Sequence, residues 1–139
     1  MDYSTRLDGL QQQVDAAKST VQAAATESSD QRRKRIDQAQ VAADTGAKEA
    51  QRASAGSSSK WDQMRADAAD KMSDIKARMK KRDREMDADA AATDADFAEA
   101  DAEYAIEYAA WSIDNARLAV LDAIDARANA NNRAAEAAS

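Results

Sequence analysis

From Lys60 to Ser139 the sequence contains neither glycine nor proline. A run that long without a helix breaker, built mainly from Ala, Asp, Arg, Lys, Glu and Met, leaves helix as its only economical conformation. Within it the large apolar residues step by eleven: Met64, Ile75, Met86, Phe97 and Tyr108 form one row, with Trp61, Met72 and Met79 on flanking rows. Eleven residues in three turns gives about 3.67 residues per turn, so the stripe runs straight or drifts slightly to the right instead of supercoiling to the left. This segment is expected to be a helix over about 60–136, with a kink or break near 90–94 as the alternative, because Thr93 followed by Asp96 resembles a capping-box start.

The first third of the chain follows a different rhythm. Leu7, Leu10, Val14, Ala17, Val21 and Ala24 alternate by three and four, the pattern of a coiled-coil seam that starts with a cap at Ser4 or Thr5. The strict heptad fails at Ser28, Gln31 and Arg35 and resumes, shifted, at Ile36, Ala39, Ala43, Gly46, Ala50 and Ala53. A stutter inside one helix over about 5–55 accounts for the shift. Gly56 followed by Ser57, Ser58 and Ser59 supplies a turn, since glycine ends helices and serine caps the next one.

Two architectures compete for these segments, both all-α. An elongated antiparallel helical coiled coil, a single domain over 1–139 folded as one long hairpin, puts Leu7, Leu10 and Val14 beside Tyr108, Tyr104 and their neighbours. A three-helix bundle with a second turn near Thr93 instead lays the acidic last helix along both basic clusters. Burying a leucine stabilises by roughly 1.5–3 kcal/mol, against about 0–1 kcal/mol for an exposed ion pair, so the hairpin is the expected form.

Composition excludes several functions. With no cysteine and no histidine the chain lacks thiolate nucleophiles, thiolate metal sites, the commonest general base and the commonest transition-metal ligand. No enzyme activity, cofactor or metal is expected. Glu99, Glu103 and Glu107 recur on one helical face after Asp96, yet such a row is ordinarily a solvated surface. MDYSTRLDGLQQQ has no apolar run to serve as a signal peptide, and no segment reaches the ~20 apolar residues a membrane span needs. A cytoplasmic protein is the expectation.

The formal net charge of −6 argues against nucleic-acid binding, but the charge is segregated. Gln31 to Arg84 holds 15 basic and 8 acidic residues, whereas Glu85 to Ala116 holds 10 acidic and no basic ones. Arg32, Arg33, Lys34 and Arg35, with Lys80, Lys81, Arg82 and Arg84, form a candidate basic patch for anionic lipid or an acidic partner; pairing with the chain's own acidic block is the simpler use. The Met and Trp stripe over 60–86 gives a second route to a membrane surface, opposed by the Asp residues on its flanks.

Most of the large side chains fall after Glu99. Tyr104, Tyr108, Trp111 and Leu118 make one row; Ile106, Ile113, Val120 and Ile124 make another on a different side of the same helix, with Leu121 between. Two apolar rows require two neighbours. Tyr104, Tyr108, Trp111, Leu118, Leu121, Ile113, Val120 and Ile124 are therefore the candidate partner-binding residues. The expected partner is a second copy of the chain, with a dimer favoured, and another protein would use the same surface.

The row from Met64 to Tyr108, set in alanine-rich and highly charged helices, resembles late-embryogenesis-abundant proteins and exchangeable apolipoproteins. That resemblance covers about half the chain and is one of pattern, without a signature motif. It implies a helical protein that coats or protects membranes or other proteins, and it supplies the second functional expectation, an amphipathic protein that binds lipid surfaces. The aromatic stretch after Glu99 departs from it. The leading expectation is a non-enzymatic interaction protein that self-associates and contacts partner proteins.

Overall fold

The computed structural model describes residues 2–53, 59–82 and 87–139. Among them the chain forms four helices and no strand: α1 (Tyr3–Ala24), α2 (Ser29–Ala53), α3 (Ser59–Arg82) and α4 (Ala88–Ala138). It divides into two compact units, Met1–Met79 and Lys80–Ser139. The expected turn at Gly56 to Ser58 lies outside the described residues.

The helix expected over 5–55 is two helices. Of the residues that broke the heptad, Ser28 and Gln31 cap the start of α2 and Arg35 ties back to the link before it. Thr26 turns its hydroxyl back to the Ala23 carbonyl at 3.4 Å, the local bonding by which Thr and Ser compete with helix propagation. The Ser28 hydroxyl then accepts from the Gln31 N–H at 3.3 Å, and the Ser28 N–H donates to Gln31 Oε1 at 3.2 Å. This reciprocal pair is a capping box, satisfying two backbone donors at the start of α2. Arg35 pairs with Glu27, and Arg32 donates to the Glu27 carbonyl, so the link is held from α2 as well. A helix start, not a stutter, explains the shifted heptad.

The start of α1 is also about two residues earlier than expected. Asp2, not Ser4 or Thr5, is its N-cap, accepting from the Thr5 N–H at 3.1 Å and from the Thr5 hydroxyl at 2.6 Å. Thr5 is the donor in this cap.

Within the first unit, α2 and α3 are joined by side chains. Gln40 Nε2 donates to Met79 Sδ at 3.4 Å, and Lys76 Nζ donates to Asp44 Oδ1 at 2.7 Å. As residue number rises along α2 it falls along α3, the antiparallel sense. A turn centred on 56–59 would set Gln40 opposite Ile75; Met79 stands about one helical turn away from that register. Met64, Met72, Ile75 and Met79 are half-buried and share one face of α3, as the stripe of large residues requires. Ile36, Gln40 and Ala47 are the half-buried counterparts on α2.

The helix expected over 60–136 is interrupted as well, but not at Thr93. Asp87 has extended backbone (φ −73°, ψ 171°) and its carboxylate accepts from the Ala90 N–H at 2.8 Å, which caps α4. Thr93 lies inside α4. Arg82 forms an ion pair with Asp94; in one continuous helix these residues would stand ~18 Å apart, beyond the reach of their side chains. Met86, in the eleven-residue row, lies outside the described residues. The end of α3 carries Lys80, Lys81 and Arg82, cations placed where the carbonyl end of the helix dipole favours them.

Candidate functional site: the exposed apolar rows of α4

α4 is a 51-residue helix, so it spans roughly 75 Å at 1.5 Å per residue. Capped by Asp87 and free of Gly and Pro, it is a rigid support for whatever its side chains do. None of its residues is fully buried, and none is among the other described residues either.

All eight candidate partner-binding residues are on this helix. Tyr108 and Val120 are half-buried; Tyr104, Trp111, Ile113, Leu118, Leu121 and Ile124 are exposed, together with Phe97 and Ile106. Leu118 is 66 % exposed, Ile106 70 %, Trp111 50 % and Ile113 48 %. A soluble monomer seldom leaves so many large side chains uncovered along one element, because contiguous apolar surface marks a binding face or an aggregation hazard.

The two rows are regular in spacing as well as apolar. Phe97, Tyr104, Trp111 and Leu118 are spaced by seven, as are Ile106, Ile113 and Val120. Steps of seven on a 3.6-residue helix drift by about 20° per heptad, which a gentle left-handed supercoil with a partner removes. The aromatic row is internally stacked. The Tyr104 and Tyr108 rings lie 6.4 Å apart at 29°, and the Tyr108 and Trp111 rings 5.7 Å apart at 56°. Such contacts restrict the orientations of the three rings.

One residue was not singled out by sequence. Asn115 is half-buried, and its Nδ2 is enclosed without a hydrogen-bond acceptor among the described residues. An amide one turn from Trp111 reads in sequence as an ordinary polar position, and no signal there separated it from Asn129 or Asn131.

The basic residues are used in several ways. Arg32 and Arg35 hold the α1–α2 link through Glu27, and Arg82 is paired with Asp94, whose side chain is only 9 % exposed. Lys34, Lys80 and Lys81 are exposed. Arg33 is exposed and also engaged with the chain, and Arg84 lies outside the described residues. The carboxylates Glu99, Glu103 and Glu107 line one exposed side of α4; among the described residues no three acidic side chains converge as a metal site would require. Also among the described residues, no helix is long and apolar enough to cross a membrane.

Comparison with family models, with curated proteins and with solved structures gives no match to this chain.

Proposed function

We propose that this chain is a non-enzymatic interaction protein that self-associates through α4, with antiparallel helix pairing of the coiled-coil kind as its structural principle. The observation that carries the reading is the exposure of two seven-residue apolar rows on one rigid helix. A helix with two uncovered rows gains most by lying between two neighbours, and a second copy of the same chain supplies them without any further component. The α2–α3 contacts support the same principle inside the first unit, where residues of opposite chain sense meet as in a helical hairpin.

Light scattering on the intact chain and on the double variant Trp111→Ala, Leu118→Ala tests this. The parent is expected to be an oligomer with full helix content in buffer alone. Truncating a large apolar side chain in a packed seam costs about 2–5 kcal/mol, so the variant should dissociate at least tenfold more readily and melt on the order of 10 °C lower. A monomeric parent that becomes helical only when anionic vesicles are added would replace this reading with lipid binding.

A further inference from the structure

Taken in steps of seven along α4, one row reads Ala92, Glu99, Ile106, Ile113, Val120, Arg127 and Ala134. Ile113 is the middle residue of α4. Outward from it the row is symmetric in size and antisymmetric in charge: a branched aliphatic on each side, then an acid on one side and a base on the other, then alanine. Glu99 and Arg127 are both exposed, as are Ile106 and Ile113. The rest of the helix has the same polarity. Its acidic residues dominate before Ala116, and its three arginines, Arg117, Arg127 and Arg133, all follow it.

We infer that α4 pairs antiparallel with α4 of a second copy of this chain, about a two-fold axis at Ile113. The inference rests on the antiparallel self-association proposed above and adds the face and the register. In this arrangement Ile113 meets its own equivalent, Ile106 meets Val120, and Glu99 meets Arg127 at both ends. A residue on a two-fold axis must tolerate itself, and isoleucine does. The reverse arrangement, parallel pairing, would stack the acidic half of α4 on its equivalent and set Arg127 against Arg127, both repulsive. Charge complementarity therefore selects the antiparallel mate, and the single mid-helix isoleucine selects the register. The aromatic row, on another side of α4, meets the second of the two neighbours in the proposed assembly, so both rows contribute to holding it together.

Cysteine cross-linking of the full chain decides the point, because the parent has no cysteine. A disulfide needs Cα atoms about 4.4–6.8 Å apart. Ile113→Cys should oxidise to a covalent dimer. Glu99→Cys and Arg127→Cys should each stay uncross-linked, since each site lies fourteen residues, ~21 Å, along the helix from the axis and so ~42 Å from its equivalent; mixed together, they should cross-link to each other. Cross-linking of Glu99→Cys with itself would overturn the antiparallel direction, and failure of Ile113→Cys in a chain that light scattering shows to be dimeric would overturn the register while leaving self-association intact. A parent that is monomeric at every concentration would remove both. The charge arm is independent: Glu99→Arg or Arg127→Glu alone should weaken the dimer about tenfold, as two repulsive contacts replace two attractive ones, and the double exchange should restore it. No rescue by the double exchange would also overturn the pairing.

Discussion

The α2–α3 pair and α4 divide the work of the chain in opposite ways. In the first unit Met64, Met72, Ile75 and Met79 of α3 are half-buried, Trp61 at its start is 40 % exposed, and the contacts to α2 that register the pair are polar: an amide on a thioether and a lysine on an aspartate. On α4 the large side chains are bigger, stiffer and more numerous, yet most are exposed. Methionine adapts to an irregular neighbour, whereas Ile, Trp and Tyr have few rotamers and suit a surface of fixed shape. The region that finds its partner within the chain thus has soft side chains and weak polar ties, and the region with the most apolar area to gain keeps it outward. Stability of the proposed assembly should accordingly sit in α4, with the first unit contributing locally.

The sharpest way to break that contrast is a pair of variants. In the proposed dimer Ile113→Asp would place a carboxylate beside its own equivalent in a seam that excludes water, where unpaired charge costs several kcal/mol, so self-association should weaken by at least a hundredfold in sedimentation or light scattering. Lys76→Ala removes an ion pair whose partners remain substantially exposed, 32 % for Lys76 and 50 % for Asp44; such pairs are worth about 0–1 kcal/mol, and the mass in solution should not change. Equal effects of the two substitutions would mean that the regions do not differ in the way their side chains indicate.

Ser28 tests how locally the first unit is held. Its hydroxyl and the Gln31 side chain satisfy backbone donors at the start of α2, and replacing a capping serine by alanine costs about 1 kcal/mol. Ser28→Ala should speed amide exchange across the first turn of α2 and leave α4 and the dimer unaffected. A rise in helix content instead would show α1 and α2 fusing into one helix once the cap is removed.

That position also shows what sequence could and could not deliver. The all-helical fold was legible because no Pro and few Gly oppose it, and the apolar rows of α4 were legible because helical spacing is periodic. Helix ends were not. Ser28 and Gln31 were visible as heptad failures, but a failure in a seam has the same appearance whether the helix stutters or stops. Asp87 was one aspartate among many, and a cap is distinguished from a solvated Asp only by the extended backbone before the helix. The one-turn shift of α2 against α3 depends on how Gln40 and Met79 interlock, a property of two side chains in space and not of either sequence. The row centred on Ile113 was visible as apolar spacing, but its symmetry acquires meaning only once α4 is known to begin at Ala88 and end at Ala138.

The smallest expected effect is at the other end of the chain and separates local helix capping from assembly altogether. The Thr5 hydroxyl and then the Thr5 N–H donate to Asp2, and these hydrogen bonds to the ionised form hold its carboxyl below the ordinary value of 3.8. Because the folded pKa is depressed, the cap's contribution is fully present above the unfolded carboxylate range and is lost as pH falls through the lower, folded value. Carboxyl NMR of Asp2 should show that depressed titration, with protection of the Thr5 amide fading over the same acidic interval. Thr5→Val removes the hydroxyl donor but keeps the N–H, so Asp2 should move back toward its ordinary pKa while the dimer is unchanged at neutral pH. If Asp2 titrated alike in both proteins, the hydroxyl would not be the main cause of the shift, and the start of α1 would rest on the backbone bond alone.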